Sequence, residues 1–276
     1  NIAHAVRVME FFLPRMSPAM RLHFEMMPDR FPDELRSVIA RFPAGALHFE
    51  IGVQTYNEEV ARRIKRHQKM DAIDDSLRFL RNETGALIHA DLIAGLPGES
   101  LESFAAGFDR LVALRPHELQ LGILKRLRGA PIGRHDEEWK MVYATEPPYE
   151  VIENNLIDRT AMEKLKRFAR YWELVANRGN FVESLPLILG GSPFARFMSL
   201  SDWLYGKAGR DYGIPLRELA GLLFRYLTVE LKQNADRITE ILQRDYQRTA
   251  RRETPDFSAQ SPRATSASPG SSDGYI

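Results

Sequence analysis

The chain is expected to form an α/β fold of about four parallel strands wrapped by helices, followed by a mainly α-helical region. Three features predict it. Helix-like and strand-like stretches alternate up to about residue 130. The connections between them are short, which favours repeated βα units with parallel strands, in a barrel or an open sheet. Beyond about residue 146 helical periodicity takes over.

Taken in order, residues 2–16 have helical spacing through Val6, Met9, Phe12 and Leu13. Residues 21–27 read as a strand that Pro28-Asp29 ends, and residues 33–42 as a helix through Leu35, Val38 and Ile39. A second strand covers 46–54. Asn57 then stands before Glu58 and Glu59 as an N-cap, with acids in the first turn where the helix dipole favours them. Residues 71–81 form a further helix and 86–94 a third strand. After Gly95-Leu96-Pro97-Gly98, Ser100 caps a helix running to Leu114, and 118–124 make the fourth strand. Pro131 and Pro147-Pro148 punctuate a polar stretch. Thr160 and Glu163 fit a capping box ahead of Leu165, Phe168 and Trp172. Residues 193–203 follow with roughly helical spacing, and 216–242 read as one long amphipathic helix. The expected domains are a partial barrel over 1–135, a separate helical domain over 146–250 and a disordered tail over 251–276. The tail is rich in Ser, Pro, Gly and Ala with almost no core former.

Composition narrows the function classes. A hydrophobic fraction of 44% with 27% charged residues over 276 positions suits a soluble globular protein with a sizeable core. A net charge of +1 exerts no global pull toward nucleic acid or an anionic membrane. The cluster Arg244, Arg248, Arg251 and Arg252 reads as a solvated helix end rather than a nucleic-acid contact. No apolar stretch approaches the roughly 18 residues of a membrane span, and no secretory signal follows Asn1, so a cytoplasmic location is expected. The chain contains no cysteine. Disulfides, thiol nucleophiles, zinc–thiolate sites and cysteine-held iron–sulfur clusters are therefore excluded within these residues.

Side chains alternate across a strand, so residues two apart share a face. One face of the strands is apolar, with Leu22, Phe24, Leu47, Phe49, Ile51 and Leu92. The other repeats a His-x-carboxylate pattern: His23 with Glu25, His48 with Glu50, and His89 with Asp91. Gly52 and Gln54 continue that face on the second strand, Ile93 and Gly95 on the third. Parallel strands buried on both sides are nearly continuous apolar runs. A polar face on three strands instead points to a polar site, against the plainer reading of cross-strand hydrogen bonds that stiffen the sheet. The Gly95–Glu99 segment adds a glycine-rich turn at a strand's carboxyl end, where α/β folds place their ligands.

The ordered set Glu25, Glu50-Ile51-Gly52-Val53-Gln54-Thr55, Arg63 to His67 and Asp91-Leu92-Ile93-Ala94-Gly95-Leu96-Pro97-Gly98-Glu99 resembles the later half of the radical S-adenosylmethionine (SAM) barrel, a partial (β/α)6 fold. Its cobalamin-binding branch is the most similar. Residues 121–132 and 147–151 are similar to the barrel exit and the helical extension of one subgroup. The resemblance implies that Glu25 contacts the methionyl or ribose part of SAM, and that Gln54 and Arg66 contact its ribose and carboxylate. It also implies that Ile93 and the backbone to Gly95 hold the adenine, with Glu50 and Asp91 in the same cofactor site. It further implies a [4Fe–4S] cluster, a 5′-deoxyadenosyl radical or methyl transfer, and cobalamin. The family's CxxxCxxC cluster loop has no counterpart here. The chain is therefore expected to be inactive alone. It is either the carboxyl-terminal portion of a longer enzyme or a shortened descendant that lost the chemistry, and its start in a helix without Met favours the former. As a portion it would act with its parent on a small-molecule or macromolecular substrate. Two other readings stand beside this one. A metal-dependent hydrolase or lyase would use the His-x-carboxylate pairs as Zn²⁺ or Mn²⁺ ligands. A non-catalytic interaction module would present Tyr171, Trp172, Trp203, Tyr205 and Tyr226, although aromatics at helical spacing more often form core.

Overall fold

A computed structural model describes residues 2–66 and 68–248. His67, Arg251, Arg252 and the expected tail over 251–276 lie outside the described residues. Strands β1 (Leu22–Met26), β2 (Leu47–Gln54), β3 (Leu87–Ala94) and β4 (Glu118–Ile123) form one parallel sheet in the order β1-β2-β3-β4. Spatial order follows chain order, as in a singly wound barrel. Helices α1 (Ile2–Phe12), α2 (Asp33–Ile39), α3 (Glu58–Arg63), α4 (Met70–Glu83) and α5 (Leu101–Ala113) surround the strands in sequence.

The strands alternate as their residues dictate. Leu47, Phe49, Ile51 and Val53 are buried while His48, Glu50, Gly52 and Gln54 are half-buried on the opposite face. In β3, Ile88, Ala90, Leu92 and Ala94 are buried in the same way. Their apolar face shares a core with Ile39 of α2, Ile73, Leu77 and Leu80 of α4, and Phe108 and Leu111 of α5. Local capping fixes where α3 and α5 begin. Asn57 accepts hydrogen bonds from the Glu59 and Val60 amides, and Ser100 accepts one from Ser103.

After β4 the chain makes a short antiparallel hairpin, β5 (Val142–Tyr143) with β6 (Val151–Glu153), around a cis Pro147-Pro148 bond. Helices α6 (Arg159–Trp172), α7 (Leu185–Leu189), α8 (Pro193–Ala208), α9 (Leu216–Arg225) and α10 (Ala235–Gln247) complete the fold. Among the described residues no helix is long and apolar enough to cross a membrane.

Several sequence expectations need correction here. The cap of α6 is Asp158, which accepts from the Ala161 amide, so Thr160 already lies inside the helix. The expected long helix over 216–242 is two helices. A π-helical turn at Tyr226–Glu230 closes α9, Lys232 adopts a left-handed φ of 51°, and the Asn234 side chain caps α10 through the Arg237 amide. Of the five aromatics offered as a partner surface, Tyr171, Trp172 and Tyr226 are buried in the core. Trp203 donates its indole N–H to Glu230, and Tyr205 lies under the Arg167 guanidinium. Arg244 and Arg248 of the basic cluster both pair with Glu183.

One aromatic cluster joins the sheet helices to the later ones. The Phe108 ring lies 5.1 Å from Phe168 and 4.8 Å from Trp172, and Phe194 of α8 packs on both phenylalanines. The outer edge of β4 is also engaged. Trp172 donates to the Leu119 carbonyl, while the Asn177 side-chain amide both accepts from and donates to Leu119, as a neighbouring strand would.

Candidate functional site

Parallel pairing brings the polar faces into one wall. His23 lies beside His48, Glu25 beside Glu50, Glu50 beside His89, and His89 beside Glu118. One step further along, Gly52 lies beside Asp91. Toward the amino-terminal end of this wall the His23, His48 and His89 rings pack against one another, tilted and then edge to face, with centroids 4.6 and 3.9 Å apart. His23 Nε2 lies 3.1 Å from Glu50 Oε2, and His89 Nε2 lies 2.7 Å from Glu118 Oε2. Burial holds His48 and His89 below the ordinary imidazole pKa, and neighbouring histidines push His48 the same way.

This ladder overturns the hydrolase reading. Two of the imidazoles are directed at separate carboxylates rather than at a common point. Among the described residues no group of three or more His, Asp or Glu is arranged to hold a metal ion.

Nearer the carboxyl ends of the strands the wall opens into a cleft of about 670 Å³ lined by Glu25, Glu50, Gly52, Gln54, Arg66 and Asp91. Met26 to Arg30, Lys65 and Gln68 close its sides. Gly52 leaves room there for the Gln54 and Arg66 side-chain ends. A Cβ at this position would lie 2.7 Å from the Gln54 side-chain nitrogen and 3.5 Å from both terminal nitrogens of Arg66. Arg66 Nη1 donates to the Gly52 carbonyl at 2.7 Å, which anchors the guanidinium over the end of the strand. Gln54 takes a left-handed φ of 69° where the β2–β3 register slips, and its side chain lies over Gly52. The Gln68 amide donates to the Val53 carbonyl and pins the segment that carries Lys65 and Arg66.

Asp91, like Asp29 and Gln68 of the same cleft, keeps an unsatisfied oxygen. Its Oδ1 is buried and has no hydrogen-bond partner. Burial, with a further contribution from Glu50, raises its pKa to about 6, and the nearby Arg66 charge opposes the rise. A buried acceptor without a donor is a point at which a ligand gains by bonding.

The structure thus brings together five of the seven site residues expected from sequence: Glu25, Glu50, Gln54, Arg66 and Asp91. The other two lie apart from this cleft. Ile93 sits beside Gly122, and the Cα of Gly95 faces Val151 and Met162, where a Cβ would come within 2.5 and 2.9 Å. The turn that follows is locked by Arg63, whose Nη1 donates to the Pro97 carbonyl and whose guanidinium lies 4.4 Å from the Trp139 ring centroid. Any side chain at Gly98 would collide with that guanidinium.

Sequence reasoning missed Arg30, Lys65 and Gln68, which carry no strand pattern and reach the cleft from loops. It also passed over the side chain of Glu99. That carboxyl is buried, accepts from the Thr55 and Ser103 hydroxyls, and leaves Oε2 without a partner. Burial raises its pKa to about 7. The signal was present in the sequence, since a Glu between a tight turn and a helix cap sits where backbone and side chains crowd.

Comparison with known proteins follows from this geometry. A family described as a protein of unknown function (DUF4080) matches residues 137–268. The ribosomal protein uS12 methylthiotransferase RimO of Heliobacterium modesticaldum is 30% identical over 108 residues, 39% of this chain and 24% of that protein. The oxygen-independent coproporphyrinogen-III oxidase-like protein HemZ of Bacillus subtilis is 24% identical over 164 residues, 58% of this chain and 31% of that protein. A solved coproporphyrinogen III oxidase, HemN from Escherichia coli, is described as a radical SAM enzyme. It aligns at 27% identity over 49% of this chain and 31% of its own, with a TM-score of 0.40. Over part of its length the chain is thus similar to these RimO and HemZ proteins. It spans about a quarter to a third of the length of these curated relatives. The DUF4080 match begins ahead of the β5–β6 hairpin and takes in α6 to α10.

Proposed function

We propose that the cleft at the ends of β1, β2 and β3 binds SAM, and that the chain is the SAM-side portion of a radical SAM enzyme. The observation that carries this reading is the convergence of Glu25, Glu50, Gln54, Arg66 and Asp91 on one cleft, although they lie on three strands and a loop. SAM presents an ammonium, a carboxylate, ribose hydroxyls and an adenine, and the cleft carries groups of the matching kinds. Arg66 is assigned to the carboxylate, because a planar guanidinium offers paired charge-assisted donors. Glu25 and Gln54 are assigned to the ammonium and ribose side, and Glu50 lies between them on the sheet. The unpartnered oxygen of Asp91 accepts from a hydroxyl or ammonium of the ligand. Ile93 and the backbone up to Gly95 are assigned to the adenine, one step further along β3.

Once bound, SAM supplies a carbon–sulfur bond whose reductive cleavage yields a 5′-deoxyadenosyl radical, or a methyl group for transfer. The residues here bind and orient it, and the apolar face of the sheet keeps the wall rigid. They do not fit a [4Fe–4S] cluster, because the chain contains no cysteine to supply thiolates. No electron-transfer step is therefore assigned to these residues, and the chain alone is assigned no radical catalysis. Cluster, cobalamin and substrate contacts, whether the substrate is a small molecule or a macromolecule, fall to other parts of the parent protein in this reading.

Calorimetric titration of SAM into the chain and its Arg66→Ala variant tests the assignment. Loss of a charge-assisted pair is expected to weaken binding by about 1.5–3 kcal/mol. Equal affinity of the two proteins would refute the carboxylate contact.

A further inference from the structure

A second cavity, of about 730 Å³, opens at the other end of the sheet, between the ends of α4 and α5 and the α7 segment. Its trough is apolar, with Val112 on one side and Leu185, Pro186 and Leu189 on the other. A narrower inner recess reaches Trp172 and Leu119. One rim is cationic and carries Arg81, Arg115 and His117.

The charges on this rim are unbalanced. Arg78 and Arg110, on the same surface, both pair with Asp74. Neither Arg81 nor Arg115 makes an ion pair with any described residue. The one acidic side chain lining the cavity, Asp109, is engaged elsewhere, since its Oδ1 accepts from the Phe194 amide at the start of α8.

His117 shows the same shortage of acceptors. Its Nδ1 lies 3.1 Å from the Ile88 amide nitrogen, which donates to it. Its Nε2 lies 2.6 Å from Arg81 Nη1. A neutral imidazole has a single acceptor nitrogen. With Nδ1 committed to the strand backbone, Nε2 carries the proton and faces the guanidinium, donor against donor. An oxyanion placed between Arg81, Arg115 and His117 would accept from all three.

We propose that this groove binds a small amphipathic anion. Its carboxylate or phosphate-monoester head would sit on Arg81, Arg115 and His117, and its hydrocarbon body along Val112, Leu185 and Leu189. The volume lies within the range of small-ligand pockets, about 300–1,000 Å³, and an apolar trough with a few convergent polar groups is the usual form of such sites. The groove is separate from the SAM cleft, and the inference does not rest on that assignment.

Isothermal titration with octanoate, octyl phosphate, octylamine and octan-1-ol tests it. One or both anions are expected to bind, with the amine and the alcohol at least tenfold weaker; the tighter anion identifies the head group. The double variant Arg81→Gln, Arg115→Gln is expected to lose at least tenfold in affinity for that anion at an unchanged thermal midpoint. Leu185→Asn, which leaves the charges in place, is expected to weaken octanoate more than acetate. Binding of octylamine as tight as that of octanoate, an unchanged affinity in the double variant, or no binding of either anion would overturn the proposal.

Discussion

Asp91 in the sheet and Asp245 in α10 are both carboxylates withdrawn from solvent, and they are treated in opposite ways. Asp245 is fully buried and accepts from the Glu183 amide, the Ser184 amide and the Ser184 hydroxyl at 2.9, 2.9 and 2.7 Å. It ties the last helix to the start of α7. Asp91 keeps one buried oxygen without a partner and stands among Glu50, Glu25 and Arg66. A buried carboxyl with a full set of donors holds a fold together, whereas one left short of donors is prepared for something that arrives later. The same contrast separates the Phe108–Phe168–Trp172 cluster, where rings fill space, from the His23–His48–His89 ladder, where they line an open wall. The cluster serves packing, and the wall carries the polar groups of the proposed SAM site.

The strongest way to break this division is in the aromatic cluster. Phe168 is fully buried and meets Phe108, Trp172, Phe194 and Phe197. Phe168→Ala is expected to destabilise the fold by about 3–5 kcal/mol, from lost burial and the cavity left behind. Urea unfolding measures this. At temperatures where the variant remains folded, SAM affinity is expected to stay within about twofold of the parent. A large loss of affinity in the folded variant would show that the two regions are not separable in this sense.

Glu99 provides a sharper test, because it belongs to the sheet region yet resembles a structural group. Its folded pKa of about 7 lies above the ordinary 4.5 because of burial. Between those values the folded chain holds more protons than the unfolded chain, so stability falls as pH rises through this window. The difference corresponds to about 3 kcal/mol. Glu99→Gln removes this titration, and its loss of stability between pH 5 and pH 8 is expected to be smaller than the parent's by most of that difference. Urea midpoints at the two pH values decide the matter. A Gln variant with the parent's pH dependence would assign the effect to another group.

The sheet was the more legible of the two regions. Strict alternation in β2 and β3 identified both the buried face and the polar wall, because period two leaves no other way to place Phe49, Ile51 and Leu92. The wall in turn yielded four of the cleft residues, Glu25, Glu50, Gln54 and Asp91. Other features depended on geometry that periodicity does not carry. Ile93 and Gly95 share a face with Asp91 by alternation, yet they stand beyond the cleft, near Gly122 and near α6 and β6. Lys65 and Arg66 reach the cleft only because α3 ends and the chain folds back, with Lys65 at a φ of 61°. The helical region misled at its joints. Lys232 breaks the expected helix without a Gly or Pro, and the one usable sign was Asn234 standing ahead of Ala235-Asp236-Arg237 as a cap.

Asn57 stands where the two kinds of residue meet. Its side-chain oxygen accepts from Glu59 and Val60 at the start of α3, and its amide donates to Ser103, which in turn bonds Glu99. As a cap alone it contributes about 1 kcal/mol, and Asn57→Ala is expected to lower stability by that amount. Helix α3 also leads directly into Lys65 and Arg66, so its first turn sets where the guanidinium stands over Gly52. SAM affinity in Asn57→Ala is therefore expected to fall several-fold under conditions where the protein remains folded, and Asn57→Ser, which keeps an acceptor for the cap, should recover most of it. If stability drops while SAM affinity does not move, the cap serves the fold alone, and the boundary between supporting and binding residues runs between Asn57 and Arg66.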